Sequence, residues 1–221
     1  MAGETVQSRA ARVLETLKEH YGVIPWNWHT RQTPFRVLVG TVLSQRTADP
    51  KTDEAAQRLF STYSTPEVIA AAEPEDIERL IRSVNYYRTK ARRIGEICRI
   101  LVERYSGSVP EDVSELIKLP GVGMKTASCV MVYGFGKPAI PVDTHVHRIS
   151  NRIGLISTRT PKDTERELWK IIPEEFILLV NDLMVKHGQT VCRPVNPQCA
   201  RCPVAALCDY EPKGSIPYAS S

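Results

Sequence analysis

Apolar residues recur every three or four positions over most of this 221-residue chain, which is the spacing that places side chains on one face of a helix. Strictly alternating runs, which would predict half-buried strands, are scarce, and no Asn-Gly pair marks a strand hairpin. The clearest stripes are Val6, Ala10, Val13, Leu14 and Leu17, and Ala91, Ile94, Ile97, Cys98 and Leu101. The spacing predicts an all-α protein.

Turn-forming residues divide the chain into a series of predicted helices. Gly22 follows the first stripe as a stop signal, Gly188 closes the last helix, and residues 26–34 and 134–138 interrupt the pattern. A proline near the first turn favours a short helix over 110–118, and the tail after Tyr210 is predicted to be irregular. The other predicted helices cover 35–43, 49–63, 66–71, 74–81, 89–105, the stretch from the 121–123 turn to about 133, 143–153, 161–171 and 174–187.

Length and composition are those of one globular domain or two small ones. The chain is 42% hydrophobic and 24% charged, which is ordinary for a soluble protein. No apolar run approaches the roughly 18 residues of a membrane span, and residues 1–20 do not resemble a signal peptide. We therefore expect a cytoplasmic protein, associated with the nucleoid if prokaryotic. Its 29 basic and 25 acidic residues give a charge of +4, which suits a DNA-binding face but is also common in proteins that bind no DNA.

A tight glycine-rich turn within residues 119–127 leads into an apolar helix. Gly121 and Gly123 flank Val122, so the backbone can turn sharply and bring unpaired N–H groups close to an anion, while Val122 enters the core. The positive dipole end of the following helix would strengthen phosphate binding. The turn therefore predicts a nucleic-acid contact, although an ordinary corner between two helices also favours glycine.

Lys125 stands in the first turn of that helix, and Asp143 stands at the predicted start of another. The helix dipole, nearby Lys118 and partial burial would each disfavour the ammonium form of Lys125. A neutral lysine is a nucleophile for carbonyl-like carbons, such as C1′ of a deoxyribose that is losing its base. Asp143 could stabilise the positive charge that develops there. The alternative is a solvated lysine and an ordinary helix N-cap.

Four of the six cysteines lie near the end of the chain: Cys192, Cys199, Cys202 and Cys208. Without a secretion signal, they indicate a metal site rather than a disulfide framework. The spacing has one Cys-x2-Cys arm rather than two, which favours an iron–sulfur cubane that stiffens the loop, with tetrahedral zinc as the alternative. Arg193 and Arg201 could reach phosphates from this loop. Cys98 and Cys129 occupy apolar helical positions and are predicted core thiols.

Two polar segments interrupt the helices of the N-terminal half. Residues 43–49 contain Gln45 and Arg46, and residues 85–90 contain an aromatic pair, which includes Tyr86, followed by basic residues. When a base leaves a duplex, the gap must be filled and the stack held open, and a polar plug and an aromatic wedge suit these tasks. Two ordinary loops between helices would explain the same residues.

With these motifs the chain resembles the helix-hairpin-helix DNA glycosylases, and among them the endonuclease III family, over residues 10–208. The hairpin with its lysine, segment 142–145 and the four-cysteine spacing occur in the family's order. The resemblance implies an all-α, two-lobed helical DNA glycosylase fold with a DNA cleft between the lobes. It implies a six-helix bundle with the helix-hairpin-helix motif at 27–137, and a lobe of 1–26 with 138–221 whose four-cysteine loop holds one [4Fe-4S] cluster.

The resemblance also implies a bifunctional DNA glycosylase/AP lyase of base excision repair. Its partner would be double-stranded DNA with a damaged or mismatched pyrimidine or an abasic site, and it would act as a monomer. Lys125 would attack C1′, displace an oxidised pyrimidine and hold the sugar as an imine, and β-elimination would cut the strand 3′ to the lesion. Asp143 would activate the lysine or stabilise the developing charge, and Gly121, Val122 and Gly123 would grip phosphate.

Three implied DNA contacts differ from those of relatives. Bacterial members carry a glutamine as the plug, and matching without gaps places Arg46 there, with Gln45 one residue earlier. An arginine can bind the acceptor edge of an orphan guanine, so uracil or thymine opposite guanine could join the substrates. Tyr86 replaces an often aliphatic wedge, and Arg193 is the only cation of the 192–199 loop. The alternatives are a mismatch uracil/thymine glycosylase acting opposite guanine, and a non-catalytic helix-hairpin-helix module with structural zinc.

Overall fold

The computed structural model describes residues 5–22 and 32–211, and within these ranges every regular element is a helix and none is a strand. The all-α prediction is confirmed. The α-helices are α1 (Val6–Tyr21), α2 (Pro34–Ser44), α3 (Asp49–Thr62), α4 (Pro66–Ala70), α5 (Pro74–Leu80), α6 (Tyr87–Tyr105), α7 (Val113–Leu116), α8 (Met124–Cys129), α9 (Thr144–Ile153), α10 (Pro161–Ile171) and α11 (Val180–Thr190).

Contacts divide the chain into two compact units, Pro25–Pro141 and Met1–Ile24 with Val142–Ser221. The sequence prediction of lobes at 27–137 and at 1–26 with 138–221 also assigns the hairpin to one lobe and the cluster to the other. That functional assignment stays a prediction.

In the unit Pro25–Pro141, α6 packs against α2, α4 and α5, and α8 packs against α2 and α7. Helices α2 to α5 each have a proline in their first two positions. Proline lacks a backbone N–H, but the N–H groups at these positions make no hydrogen bond within a helix, so nothing is lost. Their apolar faces, together with the stripe of α6, form the core of the unit. Cys98 and Cys129 are both buried, as predicted.

In the other unit, α1 and α9 each pack against α10 and α11. Polar side chains start three of these helices: Thr5, Asp143 and Thr160 accept hydrogen bonds from the first-turn N–H groups of α1, α9 and α10. Gly22 ends α1 as predicted, with φ of +72° and its N–H donating to Lys18 O at 2.8 Å. Local caps therefore set the starts of α1, α9 and α10 and the end of α1.

Two predicted helices of the hairpin region differ in extent. The helix predicted over 110–118 covers only Val113–Leu116, and it starts at Val113 because Asp112 caps it by accepting from Ser114 N at 2.6 Å. The helix predicted to reach residue 133 is an α-helix only to Cys129 and continues as a π-helix over Val130–Gly134.

The prediction of a single helix over 174–187 is wrong. A 3-10 turn at Glu174–Phe176 precedes α11, and Gly188 lies inside α11 rather than closing it. The side chains of His145 and Arg148 lie where a Cβ at position 188 would stand. The glycine therefore allows α9 to pack closely against α11 and does not end the helix.

The connector predicted at 26–34 lies largely outside the described residues, as does the tail from residue 212. Over 5–22 and 32–211, no helix is long and apolar enough to cross a membrane.

Candidate functional site

The turn between α7 and α8 has the backbone geometry that the paired glycines predict. Gly121 has φ of +74°, a conformation that residues with a Cβ rarely adopt. Val122 is 5% exposed, as predicted for a residue that enters the core, and its N–H donates to Leu119 O at 3.1 Å. Gly123 is extended and directly precedes α8. Both glycines are exposed, so the backbone of this turn is accessible to a ligand.

Arg93 of α6 lies against the same turn. A Cβ at Gly121 would stand 2.8 Å from Arg93 Cδ and 3.0 Å from its Nε, so a larger residue would displace the arginine. From another direction, Gln45 Nε2 donates to Gly121 O at 3.0 Å. The turn thus has a cation beside it and an amide that fixes one of its carbonyls, and the cation favours anion binding.

Lys125 is the second residue of α8 and is partly exposed, whereas residues 126–129 behind it are buried. Asp143 is the N-cap of α9, and its Oδ1 accepts from His145 N and Val146 N, both at 2.8 Å. The N-cap interpretation of Asp143 is confirmed, and both capping bonds use one of its two carboxylate oxygens. Lys125 belongs to the unit Pro25–Pro141 and Asp143 to the other, so their cooperation stays a prediction.

The plug and wedge segments, far apart in sequence, line one pocket of about 560 Å³, which we call the Arg46 pocket. Arg46 and Tyr86 are exposed, Tyr86 by 63%, and both have left-handed backbones with φ of +53° and +57°. The structure therefore brings together the residues predicted to fill the gap and open the stack. The pocket is lined by Gln45, Arg46, Tyr86, Thr89, Lys90 and Arg93.

Lys90, which was not predicted to be a site residue, lines this pocket and is only 3% exposed. Its Nζ donates to Leu43 O at 2.6 Å, to Gln45 O at 2.7 Å and to Thr47 Oγ1 at 2.9 Å. Burial lowers the pKa of Lys90 to about 8, and the three acceptors oppose this decrease because they stabilise the ammonium. A signal was present in the sequence: Lys90 continues the apolar stripe of α6, four residues before Ile94.

Two arginines of α9 hold the loop that begins at Cys192. Arg148 Nη2 donates to Cys192 O at 2.8 Å. Arg152 donates to Arg193 O at 2.7 Å and to Pro194 O at 2.9 Å. The side chain of Arg193, a predicted DNA contact, is exposed. These contacts of Arg148 and Arg152 were not predicted from the sequence.

The four cysteines of this loop interact electrostatically. Burial, and to a lesser degree the other three cysteines, raises the pKa of the Cys202 thiol to about 11. Four thiolates so placed would repel one another unless a metal centre supplied positive charge, so the donor set fits an iron–sulfur group. Within 5–22 and 32–211, no group of three or more His, Cys, Asp or Glu side chains is arranged to hold a single metal ion.

Comparisons with known proteins show which family the chain belongs to. The model of the HhH-GPD superfamily of base excision DNA repair proteins matches residues 39–174. Endonuclease III of Thermotoga maritima is 52% identical over 182 residues, which are 82% of this chain and 85% of the relative. Endonuclease III of Escherichia coli K12 is 35% identical over 184 residues, 83% of this chain and 87% of the relative.

Solved structures extend the likeness to the fold. A trapped endonuclease III–DNA covalent intermediate, in its estranged-adenine complex, has a TM-score of 0.85 at 37% identity, covering 94% of this chain and 97% of that chain. A thermostable thymine-DNA glycosylase has a TM-score of 0.86 at 23% identity over 94% and 98% of the two chains, which shows the fold alone. The mismatch-glycosylase and zinc-module alternatives are not favoured. The resemblance seen in the motifs is confirmed, and the chain belongs to the HhH-GPD superfamily and, within it, to the endonuclease III family of base excision DNA glycosylase/lyases.

Proposed function

We propose that this chain removes oxidised pyrimidines from duplex DNA and then cuts the strand 3′ to the abasic site, with Lys125 as the nucleophile. The position of Lys125 supports this role: it follows the exposed glycine turn after a single residue, Met124. If the turn holds a backbone phosphate, the lysine amine is held within reach of the neighbouring sugar.

The covalent step needs the neutral amine of Lys125. The amine attacks C1′, the bond between C1′ and the base breaks, and the base leaves with the electron pair and takes up a proton. Opening of the sugar at O4′ gives an imine between Nζ and C1′. Loss of a proton from C2′ then expels the 3′ phosphate by β-elimination, and water hydrolyses the imine to free the lysine.

Asp143 is proposed to act on the same sugar. Positive charge develops at C1′ as the base departs, and a nearby carboxylate stabilises it. Because both capping bonds of Asp143 are accepted by Oδ1, its Oδ2 can serve this role while α9 stays capped. Capping and catalysis are therefore compatible in one residue.

Recognition of the strand opposite the lesion is assigned to the Arg46 pocket. Gln45 donates its amide to Gly121 O, whereas the side chain of Arg46 is exposed, so Arg46 is the better candidate for the orphaned base. Its guanidinium can donate two hydrogen bonds to the acceptor edge of guanine. Tyr86 is proposed as the wedge, since an exposed aromatic ring can stack on a base. Gly121, Val122, Gly123 and Arg193 are proposed phosphate contacts.

We propose that the C-terminal loop holds one [4Fe-4S] cluster, since the endonuclease III family generally binds iron–sulfur clusters. When bound, the cluster would act as a structural staple for the loop rather than as a reactant. Arg148 and Arg152 would hold the start of that loop against α9 through the carbonyl contacts described above. The ligands would be Cys192, Cys199, Cys202 and Cys208.

The proposed chemistry is tested by reducing the imine with borohydride on duplexes that contain thymine glycol or an abasic site. Wild type should give a covalent DNA–protein adduct, and Lys125→Ala should give none. Lys137→Ala is the matched control, because Lys137 is an exposed lysine of the same unit, paired with Glu111 at 3.0 Å. An adduct that persists in Lys125→Ala would show that another amine is the nucleophile.

Action on chromosomal DNA implies a cytoplasmic location, and enclosing one flipped nucleotide requires only a monomer. We propose both for this chain. Sedimentation of the protein with a lesion duplex at one-to-one stoichiometry would support the monomer.

A further inference from the structure

We infer that Lys90 is the positioning residue that holds Arg46 and Tyr86 in the arrangement that reads the base opposite the lesion. The inference rests on the proposed function and deepens it. Lys90 does not need to touch DNA for this role, because it acts through the backbone of the two loops that carry the reading residues.

All three N–H donors of the Lys90 ammonium are used. They go to Leu43 O, Gln45 O and Thr47 Oγ1, at 2.6, 2.7 and 2.9 Å. The two carbonyls belong to the end of α2 and the residue after it, where a positive charge is favoured by the helix dipole. Lys90 thereby ties α6 to the turn in which Arg46 stands.

The same contacts extend to residues 85 and 86, the loop that carries the proposed wedge. Thr47 Oγ1, which accepts from Lys90, also accepts from Asn85 N at 3.2 Å. Asn85 Nδ2 donates in turn to Arg46 O at 2.5 Å. The loop before α6 and the turn after α2 are therefore joined into one frame, with Lys90 beneath it.

The backbones of Arg46 and Tyr86 need support from their surroundings. Arg46 and Tyr86 both have positive φ, a conformation that is strained for residues with a Cβ and persists only where the surroundings enforce it. The hydrogen bonds from Lys90 and Asn85 to the carbonyls and hydroxyl of this turn supply that enforcement. Without them, we expect both residues to relax and the pocket to lose its shape.

The charge of Lys90 occupies a helix face that is otherwise apolar. Lys90 stands on the buried stripe of α6, beside Ala91 and one turn from Ile94, where an apolar residue would avoid the cost of desolvating an ammonium. The polar contacts offset that cost in the folded chain. A methionine of similar length would fill the space but donate nothing, which makes the substitution a direct test of the contacts.

The test measures kcat/KM for thymine glycol release opposite each of the four bases. Wild type should prefer orphan guanine by about tenfold, the discrimination typical of one good arginine–guanine contact. In Lys90→Met the preference should shrink to within about twofold, with KM rising more than kcat falls, since a contact to the orphaned base mainly supplies binding. Lys90→Arg should also lose the preference for orphan guanine, because the donors of a planar guanidinium do not point in the directions of those of an ammonium.

Arg99→Met is the matched control, because it removes one charge from the exposed face of the same helix. It should keep the wild-type ranking. If Lys90→Met does not fold, Asn85→Ala is measured in its place. It removes the exposed hydrogen bond to Arg46 O and should also reduce the preference for orphan guanine. An unchanged ranking in Lys90→Met, or in Asn85→Ala, would overturn the inference, and so would a wild type without any ranking. Failure of the proposed function is separate, because it would appear as a wild type that gives no borohydride adduct.

Discussion

Gly188→Ala tests whether close packing rather than helix ending explains the glycine in α11. On helix propensity alone, alanine inside a helix should stabilise the fold by about 1 kcal/mol. Here the new Cβ would overlap with His145 Nδ1 and would stand 2.9 Å from Arg148 Nη2. Both side chains are on α9 and would have to move.

The magnitude follows from what Arg148 does. Its Nη2 donates to Cys192 O at 2.8 Å, and losing a charged hydrogen bond costs about 1.5–3 kcal/mol. Overpacking adds about 1–3 kcal/mol, and the gain in helix propensity offsets about 1 kcal/mol. We expect a net loss of about 1.5–5 kcal/mol, or a decrease in Tm of roughly 3–20 °C for a chain of this size.

Gly95→Ala is the matched comparison. Gly95 also lies inside a helix, α6, but its Cβ would meet only Ile77 Cδ1 at 3.9 Å, an ordinary contact. We expect this variant to be more stable than wild type by up to about 1 kcal/mol. Thermal unfolding of the three proteins, followed by circular dichroism, measures both changes. If Gly188→Ala is as stable as Gly95→Ala, the packing argument is refuted.

Three further outcomes are expected. Asp143→Asn should keep the fold, because asparagine also caps helices, while the rate of adduct formation falls by about 10²-fold or more. A variant that loses stability but forms the adduct at the wild-type rate would contradict the catalytic role of Asp143. Arg46→Ala should reduce turnover most when guanine is opposite the lesion, and an equal loss against all four bases would exclude the orphan-guanine contact. Between about pH 8 and the ordinary lysine pKa of 10.5, Lys90 carries a proton in the unfolded chain but not in the folded chain. The free energy of unfolding should therefore rise with pH in this range, by at most about 3 kcal/mol. Urea midpoints of wild type and Lys90→Met at pH 7.5 and pH 10 measure this rise as a difference between the two proteins, and an equal pH dependence in both would contradict the lowered pKa.

Much of the site was selected from the sequence because its signals are local. The 121–123 turn needs glycine at a positive φ, and the structure has φ of +74° at Gly121. Lys125 and Asp143 were chosen for their places at helix starts, and the structure has them in the first turn of α8 and at the N-cap of α9. Their joint chemistry, and the cluster on the four cysteines, stay predictions.

The amino-acid sequence by itself determined the helices, because prolines, N-cap residues and apolar spacing act within a turn or two of the chain. Only the tertiary structure shows where packing extends a helix past a predicted stop, and which hydrogen bonds hold the residues of the Arg46 pocket in place. Gly188 continues a helix that composition would end there, since α9 packs against it. Lys90 is buried by acceptors that lie 43 to 47 residues away, and no local signal specifies which carbonyls will meet an ammonium across that separation.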